Sequence, residues 1–254
     1  ISGLVVGLIV GMLLAFVGTS PNVPQVGIDD TGSKNLPKIW RLVTLFPTSM
    51  YPIGPSTTQF VEKVNVLTKG TIEVKLFEPE DLVPALDTFN AVSKGIIEAA
   101  LTSPSFWGDK SRGFELLGGF PFSPKIGEFL AWYEAGGGRK LSESLYRRHN
   151  LHGMVCGVSG PLVGGWFRRP VKKLTDLQNK LVAAVGLGAT VLARAGARTI
   201  SLAPQEIVPA LNSGRLFGAT MAVPYGNNKT ELTNSTSYVY FPGWHQQFSV
   251  LDLI

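Results

Sequence analysis

Two stretches of this chain alternate strand and helix in the same order, and that alternation limits the fold more than any other feature. In the first, Ile39 to Leu45 (IWRLVTL) reads as a strand. Ser56 to Thr68 follows as a helix: Ser56 or Thr57 caps it, Phe60, Val61, Val64 and Leu67 share a face, and Gly70 stops it. Thr71 to Phe77 alternates Ile72, Val74 and Leu76 inward as a half-buried strand. Asp81 to Ser93 reads as a helix ended by Gly95, and the run IIEAAL as the next strand. In the second stretch Leu181 to Val185 is a strand, Ala189 to Ala195 a helix and Thr199 to Leu202 a strand. Gln205 to Asn212 is a helix stopped by Gly214, and Leu216 to Ala222 a strand. The phrases DLVPAL (81–86) and EIVPAL (206–211) echo one another, each ahead of a glycine and an apolar strand. This rhythm calls for a parallel or mixed sheet covered by helices. Two units of related design imply two α/β lobes with a cleft between them.

Composition agrees. The chain has 254 residues, enough for two modest lobes with real cores, and 44% apolar against 16% charged residues excludes a disordered chain. A single cysteine, Cys156, excludes an internal disulfide and any cysteine-built zinc or iron–sulfur site. The net charge of +5 is uneven: residues 139–198 hold eleven Lys and Arg against Glu143 and Asp176, a net of +9, which leaves −4 for the rest. Such a stretch is either a solvated basic face or an attraction for anionic lipid or an acidic protein face. No nucleic-acid-binding module is visible, so no nucleic acid partner is expected.

Residues 1–17 carry no charge and as a helix would span about 25 Å, enough for the hydrocarbon core of a bilayer. Gly3, Gly7, Gly11 and Ala15 recur every fourth residue and so lie on one helix face. Small residues there let another membrane helix approach closely. The segment reads as a retained anchor that packs against an integral membrane protein. The Gly-, Pro- and polar-rich residues that follow read as a tether.

Candidate chemistry is sparse. The strand–Gly186-Leu187-Gly188–helix turn imitates a dinucleotide fingerprint, but Val191 occupies the third glycine position. Ser159 lacks the flanking glycine spacing of a nucleophile elbow. His149 and His152 have no acidic residue near enough in sequence to complete a metal set. No enzyme, cofactor or metal site is expected.

Specific phrases carry a resemblance: WRLVT (40–44), DLVPALDTFNAVSKGIIEA (81–99), GGFPF (118–122), GGWFRR (164–169), LTDLQNK (174–180), PQEIVPALNSGRLFGAT (204–220) and YFPGWH (240–245). From about Ile39 onward the chain resembles the periplasmic substrate-binding proteins of TRAP (tripartite ATP-independent) transporters, and within them the branch that captures keto acids and related organic acids. The resemblance implies two α/β lobes closing on a carboxylate that is handed to a membrane permease. It also implies an arginine gripping the carboxylate, and a Gln and a Glu-Trp pair holding a metal ion and the substrate. Here those positions are Ala183, Leu162, and Met221 with Ala222. Phe106, Trp107, Trp166 and Arg168 are further candidates to line the cleft. Members of the family continue past the segment matching PGW.

The expected plan is α/β: a transmembrane anchor over 1–19, a linker over 20–37, a first lobe over 38–160, and over 161–254 a second lobe with the start of a return crossing. The expected function is a repurposed accessory subunit of a membrane complex, held in the membrane with its body in the bacterial periplasm and its ligand groups replaced. The alternative is a tethered receptor delivering an organic acid or a more apolar ligand to a TRAP-type permease.

Overall fold

The computed structural model describes residues 36–221 and 231–254. The expected anchor helix with Gly3, Gly7, Gly11 and Ala15, and the tether through residue 35, lie outside them. Among the described residues no helix is long and apolar enough to cross a membrane.

The first half builds strand β1 (Lys38–Thr44), helix α1 (Ile53–Leu67), β2 (Ile72–Phe77), a short 3-10 turn (Ala85–Asp87), α2 (Thr88–Ser93) and β3 (Ala99–Thr102). Three helices follow, α3 (Arg112–Leu117), α4 (Ile126–Ala135) and α5 (Gly138–Arg147), and then β4 (Met154–Ser159). The second half holds β5 (Gly165–Phe167), β6 (Leu181–Ala183), α6 (Gly186–Arg194), β7 (Arg198–Ile200), α7 (Pro204–Asn212) and β8 (Gly218–Ala219). It ends with α8 (Glu231–Ser235), β9 (Tyr238–Tyr240) and β10 (Ser249–Leu253).

These strands form two five-stranded sheets, ordered β2-β1-β3-β10-β4 and β7-β6-β8-β5-β9. In the first, β1 lies parallel to β2 and β3, and β10 runs antiparallel to β3 and β4. In the second, β6 lies parallel to β7 and β8, and β5 runs antiparallel to β8 and β9. The sheets therefore share one design: three parallel strands, then a reversed one. The echoed phrases occupy matching places, each in the connection from the second to the third parallel strand.

They do not take the same form. EIVPAL lies within α7, which Pro204 opens at its first turn and where the Glu206 carboxylate accepts the Ala203 N–H at 2.8 Å. DLVPAL has no such start: only its Ala85 and Leu86 enter a 3-10 turn, and helix α2 forms from Thr88, whereas α7, once started, runs through Pro209. Helix α1 starts three residues ahead of the expected cap. Ser56 and Thr57 are interior residues whose hydroxyls donate back to the Pro52 and Ile53 carbonyls, each at 2.9 Å. Its buried face holds Gly54, Thr57 and Val61, whereas Leu67 is 77% exposed.

Neighbouring strand residues face opposite ways, so each sheet is covered on both sides. In β1, Val43 packs with Phe89, Trp107, Phe114 and Tyr146, while Leu42 packs with Val61, Val74 and Ala99. In β6, Ala183 packs with Leu211 and Leu216, while Val182 packs with Leu177 and Leu192. Within the first cluster the Tyr146 hydroxyl donates to Asp252 Oδ2 at 2.6 Å, tying α5 to β10.

Among the described residues the chain crosses between the sheets twice, from β4 to β5 and from β9 to β10. The crossings run side by side: Leu162 N–H donates to the Gln246 carbonyl at 3.1 Å and Gly164 N–H to the Tyr240 carbonyl at 2.7 Å. A Cβ on Gly243 would stand 1.7 Å from the Leu162 carbonyl oxygen, so only glycine lets the crossings touch there.

Candidate functional site

In sheets built around parallel strands, ligands bind beyond the carboxyl ends of those strands. Both sheets turn those ends toward one cavity of about 120 Å³. Phe46 and Met50 reach it from beyond β1, Ser103 and Phe106 from beyond β3, Ala183 from the end of β6 and Met221 from beyond β8. Leu162 and Gln246 enter from the two crossings, and Leu251 from β10.

Leu162, Ala183 and Met221 thus meet in one cavity, and Phe106 joins them. Trp166 stands behind the wall, 3% exposed, with its Nε1 donating to the Met221 carbonyl at 2.8 Å. Trp107 does not line this cavity. It is buried in the first sheet's core with its ring 5.2 Å from that of Phe89, because the 3-10 turn over Pro104–Phe106 points these two consecutive aromatics in different directions. Arg168 is not in the cleft either. It follows β5 at the far end of the second sheet, exposed beside Arg169, Lys180, Arg198 and Arg215 around a second hollow. Ala222 lies outside the described residues. Phe46, Met50, Ser103 and Gln246 are lining residues that sequence patterns did not single out. They were reachable only through the rule that parallel strand ends converge on ligands.

Among the described residues no Asp, Glu, His, Lys or Arg lines the cavity. Its polar groups are neutral. The Gln246 Nε2 donates to the Gly118 carbonyl at 2.8 Å and to Ser105 Oγ at 3.3 Å, fixing the amide. The Ser103 hydroxyl is buried without a partner, although it precedes the 3-10 turn where a serine would ordinarily cap. Next to Gln246, His245 is 2% exposed with both ring nitrogens unpartnered, and burial pulls its pKa down to about 4. Gly188 packs on that ring: a Cβ there would stand 3.0 Å from His245 Cδ2. The glycines of the β6–α6 turn are explained by a left-handed Gly186 (φ +60°) and by this contact, without a nucleotide.

The metal that the resemblance implies would rest on side chains at 162, 221 and 222. Hard cations need oxygen ligands, and the Leu162 and Met221 side chains have none. Among the described residues no group of three or more His, Cys, Asp and Glu could hold a metal ion. The described residues do not fit that ion. His149 is packed rather than ligating, with its ring 5.3 Å from that of Phe89.

Residues 46–253 match the family of bacterial extracellular solute-binding proteins, family 7. A monocarboxylate 2-oxoacid-binding periplasmic protein of Nostoc sp. strain PCC 7120 is 30% identical over 221 residues, 86% of this chain and 60% of that protein. A TRAP transporter solute-binding protein of Bordetella bronchiseptica RB50, a mixed-occupancy dimer with copurified calcium and picolinate in one active site, is 29% identical with a TM-score of 0.81. That comparison covers 86% of this chain and 65% of the other. A TRAP periplasmic solute-binding protein of Pseudoalteromonas atlantica T6c with bound sodium and pyruvate shares the fold, with a TM-score of 0.79 at 22% identity over 85% of this chain and 66% of the other. The chain therefore spans less than two thirds of the length of the Nostoc and Bordetella proteins.

Proposed function

The chain belongs to the bacterial extracellular solute-binding proteins of family 7, the binding proteins of TRAP transporters, and from that membership we propose that it is a periplasmic receptor for a small organic solute. The receptor closes its two lobes on the solute and hands it to an integral-membrane permease. The observation that carries this reading is the cavity at the meeting of both sets of parallel strand ends. The Nostoc relative, named for monocarboxylate 2-oxoacids, and the Bordetella protein, holding picolinate, direct the first search toward small organic acids and their analogues. The test is isothermal titration of the purified chain with a panel of such solutes and their uncharged analogues. A saturable one-to-one isotherm with a matching rise in Tm is expected, and flat titrations across the whole panel sink the receptor reading.

A second reading draws on Leu162, Ala183 and Met221, apolar side chains where the family resemblance implies polar ligand groups. It makes the chain an accessory subunit of a membrane complex, anchored through a helix over residues 1–19 whose Gly3, Gly7, Gly11 and Ala15 pack on a partner. The exposed hollow with Arg168, Arg169, Lys180, Arg198 and Arg215 would then face anionic lipid or an acidic protein surface. Purification in mild detergent separates the readings. A stoichiometric multi-subunit complex, lost on Gly7→Leu with Gly11→Leu, supports the accessory subunit, whereas a chain alone or with only a permease supports the receptor.

A further inference from the structure

We propose that Glu80 and Gln205 are positioning residues that latch the two lobes together beside the cavity, and so set the affinity for any solute held there without touching it. This rests on the receptor reading and adds the contact that favours its closed form.

The latch is built on the echoed phrases. Glu80 directly precedes DLVPAL and Gln205 directly precedes EIVPAL, so the two residues hold equivalent places in the two halves. They meet: Gln205 Nε2 donates to Glu80 Oε1 at 3.2 Å. The same oxygen accepts the Ala85 N–H at 3.0 Å, which aims the carboxylate. Each side is braced on its own loop. The acid that leads each phrase accepts an N–H three residues back, Asp81 from Glu78 at 3.0 Å and Glu206 from Ala203 at 2.8 Å, although only the second opens a helix. Glu78 in turn accepts the Thr48 N–H at 3.1 Å and ties the turn after β1 to the turn after β2. Glu80 itself stands at φ +74°, a left-handed backbone that favours glycine, so its carboxylate is kept against a local preference.

Beneath the polar pair lies an apolar contact. Ala203, 1% exposed, packs with Leu45, Phe46 and Ala85 of the first half. An apolar centre under a polar rim is the anatomy of a protein interface. The contact adjoins the cavity: Phe46 and Met50 line it from the first half and Leu202, Pro204 and Ile207 from the second, while Glu80 and Gln205 are not in its wall. The pair therefore acts on closure rather than on the solute. Apparent affinity falls with the fraction of closed chain, and one hydrogen bond to a carboxylate at an exposed rim is worth about three- to tenfold.

The experiment titrates the purified full chain calorimetrically with pyruvate, picolinate and isobutyramide at pH 7.5, with release rates by stopped flow and solution scattering of the solute-free chain. Gln205→Ala is expected to weaken every solute that binds by one common factor of about three to ten, mostly through faster release. Glu80→Gly, which suits the left-handed backbone and removes the carboxylate, is expected to match it, and the double variant to be no weaker than either alone. Unchanged affinity, a loss confined to one solute, or losses that add in the double variant overturn the latch and leave the receptor reading standing. Where no solute binds, the receptor reading falls, and scattering decides the lobe contact: a larger radius of gyration in Gln205→Ala upholds it, and an equal one overturns it too.

Discussion

His245 and Asp252 stand on the return into the first sheet, and burial moves their protonation in opposite directions. Burial lowers the His245 pKa from 6.5 to about 4, so between those values the unfolded chain takes up a proton that the fold refuses. Stability from this residue therefore rises with pH across that window, by about 3 kcal/mol in all. Burial raises Asp252 from 3.8 to about 6, opposed by the Tyr146 hydrogen bond. Here the fold holds the extra proton, and stability falls as pH rises from 3.8 to about 6, again by about 3 kcal/mol. The two nearly cancel from about pH 4 to 6. Urea midpoints of the wild-type chain should owe little slope to this pair. Asp252→Asn, which keeps an acceptor for Tyr146, should unmask the rising term, giving a midpoint clearly higher at pH 6 than at pH 4. At this scale the sequence was a partial guide. A lone His beside Trp244 and Gln246 shows neither its burial nor its missing partners, because both depend on the packing of α6 against the crossing. Leu162, Ala183 and Met221, which line the cavity, were singled out by phrases of fixed order. Ser103 was not, because a serine before a proline reads as an ordinary turn.

Among the elements, the two crossings decide how the halves communicate. The carbonyl of Leu162 occupies the space that a Cβ on Gly243 would need. Gly243→Ala should force the crossings apart, lower stability by about 1–3 kcal/mol, and weaken solute binding by more than the stability loss explains. Urea titration alongside calorimetry on the same variant measures both. A variant with normal binding would remove the crossings from the mechanism. The periodic elements were legible: β1, β2, β6, α6 and α7 all carry several apolar residues. The antiparallel strands were not. β10 contains the buried Asp252, which reads as a surface residue until Tyr146 is seen beside it. The misread helix at Asp81 has a local cause, a proline without a preceding helical start.

At the scale of the whole molecule, the described residues form two sheets of one design, and the design makes them dependent. Strand β10 lies between β3 and β4, and in the first sheet β4 pairs with β10 alone. A fragment of residues 36–160 therefore leaves β4 without a partner and Tyr146 without Asp252. It should show no cooperative urea transition, whereas residues 36–254 should show one. A sharp transition in the fragment would mean that its helices suffice. The same arrangement has a consequence in time. A ribosome has released every residue of the first half, and then the whole second sheet, before the strand near residue 250 can enter the middle of the first. Until then the early half remains an unfinished sheet with two open edges. A chain bound for export across a membrane gains from this delay, since translocation needs an unfolded thread, and a sheet that waits for β10 keeps the thread loose while every residue ahead of that strand passes.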